Sequence, residues 1–423
     1  MKPIKKGLFI LVTLVLCLLL LEVGLRLFYY KSLNIVSKPF GMRIPHPIRG
    51  WTLASGKKFI IQTLDYTTKI QINSRGLNDI EHQYQPLPGI FRVVVLGDSM
   101  MEALQVDLHD SLPRLLEKKL NQRNVEVINF GVGGYGTTQE YLYLKEEALK
   151  YKPNLVLMEI FPLNDIMNNS WALEKELMKQ EGLRTFGRPF ARICGDGELR
   201  FKMPDLEKVN EWLENKQFNS IHGAARKPFW EKLVIYKFFN NLLLARKVVD
   251  IKVLNYNPNI SFGPILKQFS PESYKKRLPI AQYREMWNQA WEITYRLVSE
   301  TRYLSEKNGA AFVLLIAPSK IQIDARFKKR LLKQFPQLTF DFDKPNRALL
   351  RFGATQGIRV LDLLPAFIKA YEQGKGPLFH KIEDRHWNAA GHRVAVARLI
   401  EYLDNNQLIP LTSNGEYKTK VDK

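Results

Sequence analysis

The sequence predicts an α/β protein built on a doubly wound parallel sheet of five strands, and three features carry that expectation. Arg92-Val-Val-Val-Leu96 is a continuous run of β-branched and aliphatic residues, the pattern of a strand buried on both faces. After it the pattern alternates: 112–120 has apolar residues at helical spacing, 125–130 reads as a strand, 138–149 as a helix and 154–160 as a third strand. Two further strands, 310–316 and 357–361, follow much later, accompanied by helical patterns over 284–307, 344–356 and 389–403. Strands that alternate with helices imply parallel pairing, with the crossover helices covering the sheet.

The third and fourth strands are separated by about 150 residues, far more than a connecting loop needs. Residues 170–285 read as a helical, basic insertion. Its stretch 230–249 is crowded with large apolar side chains, as in a buried packing helix, a lid over a site or a segment dipping into a membrane. Ahead of the sheet, residues 31–90 are rich in Pro, Gly and short alternating runs such as Lys58-Phe-Ile-Ile-Gln and Lys69-Ile-Gln-Ile-Asn, and predict a β-rich segment of short strands.

Residues 1–30 predict a membrane anchor. Lys2, Lys5 and Lys6 precede an apolar run over 8–21, and Glu22 and Arg26 stand one helical turn apart, where they can pair. No Ala-x-Ala-like site follows, which favours an uncleaved helix over a cleaved signal. Residues 7–29 are enough to span a bilayer, which takes about 20 residues. Tyr29 and Tyr30 fall at the far interface. The short lysine tail favours N-inside and a folded domain on the outside.

The 63 Lys and Arg against 42 Asp and Glu leave a net charge of +21, which attracts polyanions such as acidic lipid headgroups or acidic polysaccharide. Nucleic acid is not expected, because the chain has no zinc-finger spacing, no RNP-like aromatic motif and no basic region joined to heptads. Cys17 and Cys194, the only cysteines, are too far apart in context to form a disulfide framework or a thiolate metal site.

Four segments carry the residues for nucleophilic catalysis. The first strand runs into Gly97-Asp98-Ser99, where a hydroxyl lies beyond the carboxyl end of a parallel strand. On this segment alone, a helix N-cap is the simpler role for Ser99. Asn129-Phe-Gly-Val-Gly-Gly-Tyr-Gly-Thr137 follows the second strand, and its glycines let backbone amides approach a ligand or simply form a tight turn. Asn164-Asp165 follows the third strand and offers a side-chain amide. Glu383-Asp384-Arg385-His386-Trp387, between the last strand and the last helix, supplies an imidazole beside carboxylates. His46, His82, His109, His222 and His380 lack that context, and His392 reads as a residue fixing the last helix. Asp384, His386 and His392 make a poor metal set, since no further ligands accompany them.

Together these blocks resemble the SGNH (GDSL-type) hydrolases, in the family order and over residues 91–165 and 310–404. More faintly, Ile72-Asn-Ser-Arg-Gly76 resembles a stretch ahead of the serine block in anchored members. The resemblance implies a flavodoxin-like sheet within a domain spanning 91–423. It implies Ser99 as nucleophile, His386 as base, Asp384 (with Glu383 the alternate) as the orienting acid, and the Ser99 and Gly134 amides with the Asn164 side chain as oxyanion donors. It implies no cofactor and no metal. Two positions depart from the family pattern: Pro162 stands where the asparagine block usually begins with glycine, and Asp384 lies two residues before the histidine instead of three. The Asp-x-His-Trp form is that of polysaccharide O-acetyltransferases of this superfamily. The expected substrates are therefore ester-linked acyl groups on cell-envelope glycans or lipids. The expected activity is hydrolysis; acyl transfer by the same triad, or a catalytically silent glycan-binding protein, are the alternatives.

Overall fold

The computed structural model describes residues 3–33, 41–63, 65–177, 187–212, 214, 280–334, 341–380 and 386–410. Helix α1 (Pro3–Leu33) covers the predicted anchor and leaves Phe9, Leu14, Leu16 and Leu20 exposed. Among the described residues no helix is long and apolar enough to cross a membrane.

Residues 41–77 form two antiparallel hairpins, β1 (Arg43–His46) with β2 (Gly50–Leu53) and β3 (Lys58–Gln62) with β4 (Thr67–Gln71). This segment packs on the rest of the chain: Trp51 and Leu77 join the core around the sheet, and Ile61, Ile70 and Ile72 enclose Leu104.

The five expected parallel strands form one sheet. They are β5 (Phe91–Gly97), β6 (Val125–Gly131), β7 (Leu155–Ile160), β10 (Ala311–Ile316) and β11 (Val360–Asp362), in the spatial order β11-β10-β7-β5-β6. This is the flavodoxin-like 2-1-3-4-5 order, with its switch point between β5 and β7. Alternation along β5 explains its wholly apolar interior. Val93 and Val95 face a core with Leu112, Leu116, Phe367 and Leu399, while Val94 and Leu96 face one with Tyr143, Val298 and Leu349.

In chain order the helices after α1 are α2 (Ser99–Glu102), α3 (Leu112–Leu120), α4 (Thr137–Glu146), α5 (Asp165–Asn168), α6 (Trp171–Leu177), α7 (Ile280–Lys307), α8 (Lys320–Ile323), α9 (Ala325–Gln334), α10 (Lys344–Gln356), α11 (Leu364–Glu372) and α12 (Ala389–Asn405). Helices α3, α11 and α12 cover one face of the sheet; α4, α7 and α10 cover the other.

Three expectations need correction. The described part of the insertion is not all helical. After α6, strands β8 (Phe190–Ile193) and β9 (Leu199–Lys202) pair antiparallel about Cys194-Gly-Asp-Gly197, where Gly197 takes φ +78. Residues 215–279, with the apolar stretch 230–249, lie outside the described residues. The last strand starts at Val360, because Gly357 (φ +62) ends α10 in the left-handed conformation that glycine tolerates. Helices α8, α9 and α11 were not predicted at all.

Arg92 is the one charge inside β5, and its partners explain its presence. It is buried at the end of the sheet away from Ser99. Its guanidinium donates to the carbonyls of Tyr84 (2.8 Å), Gln83 (2.8 Å) and Tyr151 (2.6 Å) and to Glu126 (2.6 Å). It therefore ties the N-terminal segment to the strands. Arg92→Met leaves those acceptors without donors, and urea unfolding should show a loss of about 3 kcal/mol or more.

Candidate active site

Strand β5 ends on Gly97, where a Cβ would sit 2.6 Å from Glu159 Oε2 and 2.5 Å from Met101 Cγ, so only glycine fits. The chain then turns into α2. Asp98, not Ser99, is the N-cap: its carboxylate accepts the Met100 N–H at 2.8 Å. Ser99 is the first helical residue, which frees its hydroxyl from capping. Its Oγ lies 2.7 Å from His386 Nε2, a contact between residues 287 positions apart. Both side chains are partly exposed.

His386 is held by the backbone on either side of it. The His380 N–H donates to the His386 carbonyl (3.1 Å), the Asn388 N–H to that of Leu378 (3.1 Å), and Phe379 and Trp387 form an antiparallel bridge. Trp387 is fully buried and donates from Nε1 to Pro318 O at 3.1 Å. Asn388 caps α12, its Oδ1 accepting from Ala390 (2.9 Å) and Gly391 (3.1 Å). Gly391 has no room for a side chain, since a Cβ would lie 2.4 Å from Leu378 O. Trp387, Asn388 and Gly391 thus anchor the histidine. Glu383 and Asp384, the expected acids, lie outside the described residues.

The glycine loop after β6 folds around α2. Asn129 organises it: Oδ1 accepts the Gly131 N–H (2.9 Å) and Nδ2 donates to Met101 O (2.9 Å). Gly134 adopts φ +80 and lies against Trp51, whose Nε1 donates to Gly133 O at 3.4 Å.

Asn164 departs from the expectation of a free amide donor. Its Nδ2 donates to Asp98 Oδ2 (2.8 Å) and to Asp165 Oδ1 (2.9 Å), so both amide hydrogens are engaged by carboxylates. Donation to an oxyanion requires sharing one of them. Pro162 does not disturb the turn: Asp165 Oδ2 accepts the Phe161 N–H at 2.7 Å and Asn164 N–H donates to Phe161 O at 3.1 Å.

Four carboxyl groups form the floor beneath these residues: Asp98, Glu140, Glu159 and Asp165, none more than 1% exposed. Burial, with Asp165 and Asp98 beside it, pushes Glu140 well above the usual carboxylate range. Burial does the same to Glu159, reinforced by Asp98 and Asp165. Glu159 Oε2 accepts the Asp98 N–H at 3.2 Å, whereas neither Glu140 oxygen has a hydrogen-bond partner. Protonated Glu140 and Glu159 let four acids share one apolar floor, with Arg188 the nearby cation. This cluster was not read from the sequence, because Asp98 and Asp165 read only as parts of their own blocks, and Glu140 and Glu159 sit in ordinary helix and strand patterns.

The other histidines sort differently from the expectation. His82 has acidic partners after all: Nδ1 is 2.7 Å from Glu126 and Nε2 is 3.2 Å from Asp79, and its pKa rises to about 9. It braces the far side of β6, since the Asn129 N–H donates to Asp79 at 2.8 Å. His46 lies 3.3 Å from Glu146. His222 falls outside the described residues. His392 is buried and accepts the Leu112 N–H at 3.2 Å, joining α12 to the start of α3. Among the described residues no group of three or more His, Cys, Asp or Glu side chains can hold a metal ion.

No protein-family model and no curated protein matches the chain. Solved structures do resemble it. They include TesA (10% identity, 74% of this chain and 98% of that one, TM-score 0.33). A member of the lipolytic G-D-S-L family from Veillonella parvula matches at 12% identity over 74% of this chain and 97% of its own, TM-score 0.33. The lipase/acylhydrolase from Enterococcus faecalis matches at 12% over 75% and 97%, TM-score 0.32. Likeness this distant says nothing of this chain's activity, which has to be argued from its own residues.

Burial, aided by His380 and His386, lowers the His392 pKa to about 3. The unfolded chain binds this proton below the ordinary pKa of 6.5 and the folded chain does not, so stability is complete above 6.5 and declines as pH falls towards 3. Urea unfolding at pH 7 and pH 5 should show a loss of about 2 kcal/mol from this group, absent in His392→Phe.

Proposed function

We propose that this chain is a serine hydrolase of the SGNH type that cleaves acyl esters. The observation that carries the reading is the 2.7 Å contact between Ser99 Oγ and His386 Nε2 beyond the carboxyl end of β5. A serine hydroxyl is a weak nucleophile until a base in hydrogen-bond reach takes its proton. His386 removes that proton as Oγ bonds to the ester carbon, and returns it to the alcohol oxygen as the carbon–oxygen bond breaks. Water, activated by the same imidazole, then releases the acid. Asp384, with Glu383 the alternate, orients the ring and balances the imidazolium.

The negative charge on the tetrahedral intermediate is met by the Ser99 amide at the start of α2 and the Gly134 amide. Asn164 joins them by yielding one of its carboxylate contacts; losing one such donor typically raises the barrier by about 3 kcal/mol. The sequence of residues 1–30, with Lys2, Lys5 and Lys6 ahead of the apolar run 8–21, supports a membrane anchor with the catalytic domain outside the cytoplasm. The substrates in that setting are acylated envelope glycans or lipids. Transfer of the acyl group to a sugar hydroxyl in place of water is the second reading, favoured by the Asp384-x-His386-Trp387 block.

Fluorophosphonate labelling should modify Ser99 in the folded wild type and leave Ser99→Ala unmodified. The same variant should lose on the order of 10⁴ or more in kcat on short-chain aryl esters while melting at the wild-type temperature. A folded wild type that neither labels nor turns over any ester would overturn the reading. Acetylated product on an added glycan acceptor would assign transfer.

A further inference from the structure

The guanidinium of Arg43 lies against the loop that carries the Gly134 amide, although Arg43 comes from β1, far from any of the four catalytic segments. A Cβ on Gly133 would lie 2.6 Å from Arg43 Nη2, and one on Gly134 would lie 3.8 Å from Nη1. Gly133 thus makes room for the guanidinium, and Gly134, whose amide is the proposed oxyanion donor, lies next to it.

The nearest acid does not use up its charge. Glu102, one helical turn beyond Ser99 on α2, stands 3.7 Å from Nη2, which is an ion pair without a hydrogen bond. Glu102 also accepts from the Gly133 backbone amide, and burial holds its carboxyl above the usual range despite Arg43. Nε of Arg43 is buried with no hydrogen-bond partner, while the side chain as a whole is one-third exposed. The side chain therefore reaches solvent beside the glycine loop, with its planar fork of donors unspent among the described residues. Buried donors in folded proteins are almost always paired, and a guanidinium fork matches the two oxygens of a carboxylate.

We infer that Arg43 binds a carboxylate of the substrate beside the scissile ester, so that the preferred substrates are anionic esters. The inference rests on the ester-hydrolase reading for the site it serves. Its charge can lie on the acyl side or on the alcohol side of the ester, and matched substrates separate the two. Para-acetoxybenzoate against its methyl ester places the charge on the alcohol side. Phenyl hydrogen succinate against phenyl methyl succinate places it on the acyl side.

In the wild type the charged member of one pair should exceed its neutral partner about tenfold or more in kcat/KM. Arg43→Gln should bring that ratio close to unity, and Arg43→Lys, which keeps the charge and loses the fork, should give an intermediate value. The same pairs bound to Ser99→Ala and read by calorimetry give the preference without turnover. A wild-type ratio of unity in both pairs overturns the inference, whether or not an Arg43 variant folds. So does a ratio that survives Arg43→Gln, or an equal fall on both members, which would make Arg43 an oxyanion stabiliser. Charge-selective binding to Ser99→Ala with no turnover by the wild type would instead remove the hydrolase reading and leave Arg43 standing.

Discussion

Parallel pairing of β5 with β6 on one side and β7 on the other sets where every reactive group can be. Gly97 stands opposite Gly131, and Leu96 opposite Met158, so the three strands end at one edge and their following loops share a single rim. The order of strands reverses there, and the crossover helices leave in opposite directions, opening the crevice that this topology always provides. Ser99, the glycine loop and Asn164 meet because the hydrogen-bond register leaves them no alternative. His386 arrives from a fourth direction, after β11, and depends on the buried Trp387 and on Gly391 for its approach.

The floor beneath the serine is electrostatically demanding. Four carboxyl groups in an apolar interior cannot all ionise, and burial drives Glu140 and Glu159 to the neutral form. Asn164 links two of the four, and the Asp98 backbone donates to a third. The consequence is rigidity. Asp98 is at once the cap of α2 and a partner of Asn164, so the turn that carries Ser99 and the asparagine are fixed to each other through one carboxylate.

The N-terminal hairpins belong to the site as much as to the fold. Asn73 accepts from Arg75 (2.9 Å) and Leu77 (2.9 Å), with Gly76 at φ +78, and this turn presents Asn78 and Asp79 to α2 and to β6. Asn78 donates to Glu102 O at 2.7 Å and Asp79 meets both Asn129 and Arg114. The stretch Ile72–Gly76, noticed in the sequence only as a faint likeness, thus holds the end of α2 and the start of the glycine loop. The β-rich entry segment is also a brace.

The sequence by itself determined the sheet and its reactive rim. Buried parallel strands must be continuous and apolar, and the turns after them must contain glycine or capping residues, so both leave marks within a few positions. It also determined that Ser99 and His386 belong to one site, because each stands in a block of recognisable chemistry. Only the tertiary structure decided that Asp98 and not Ser99 caps α2, that Asn164 is engaged by two acids, and that His82 is paired. The engagement of Asn164 and the pairing of His82 depend on Asp98 and Glu126, which lie 66 and 44 positions from their partners, so no local pattern announces them. Arg43 is the same case: its meaning lies in what it faces across space, and no local pattern encodes that.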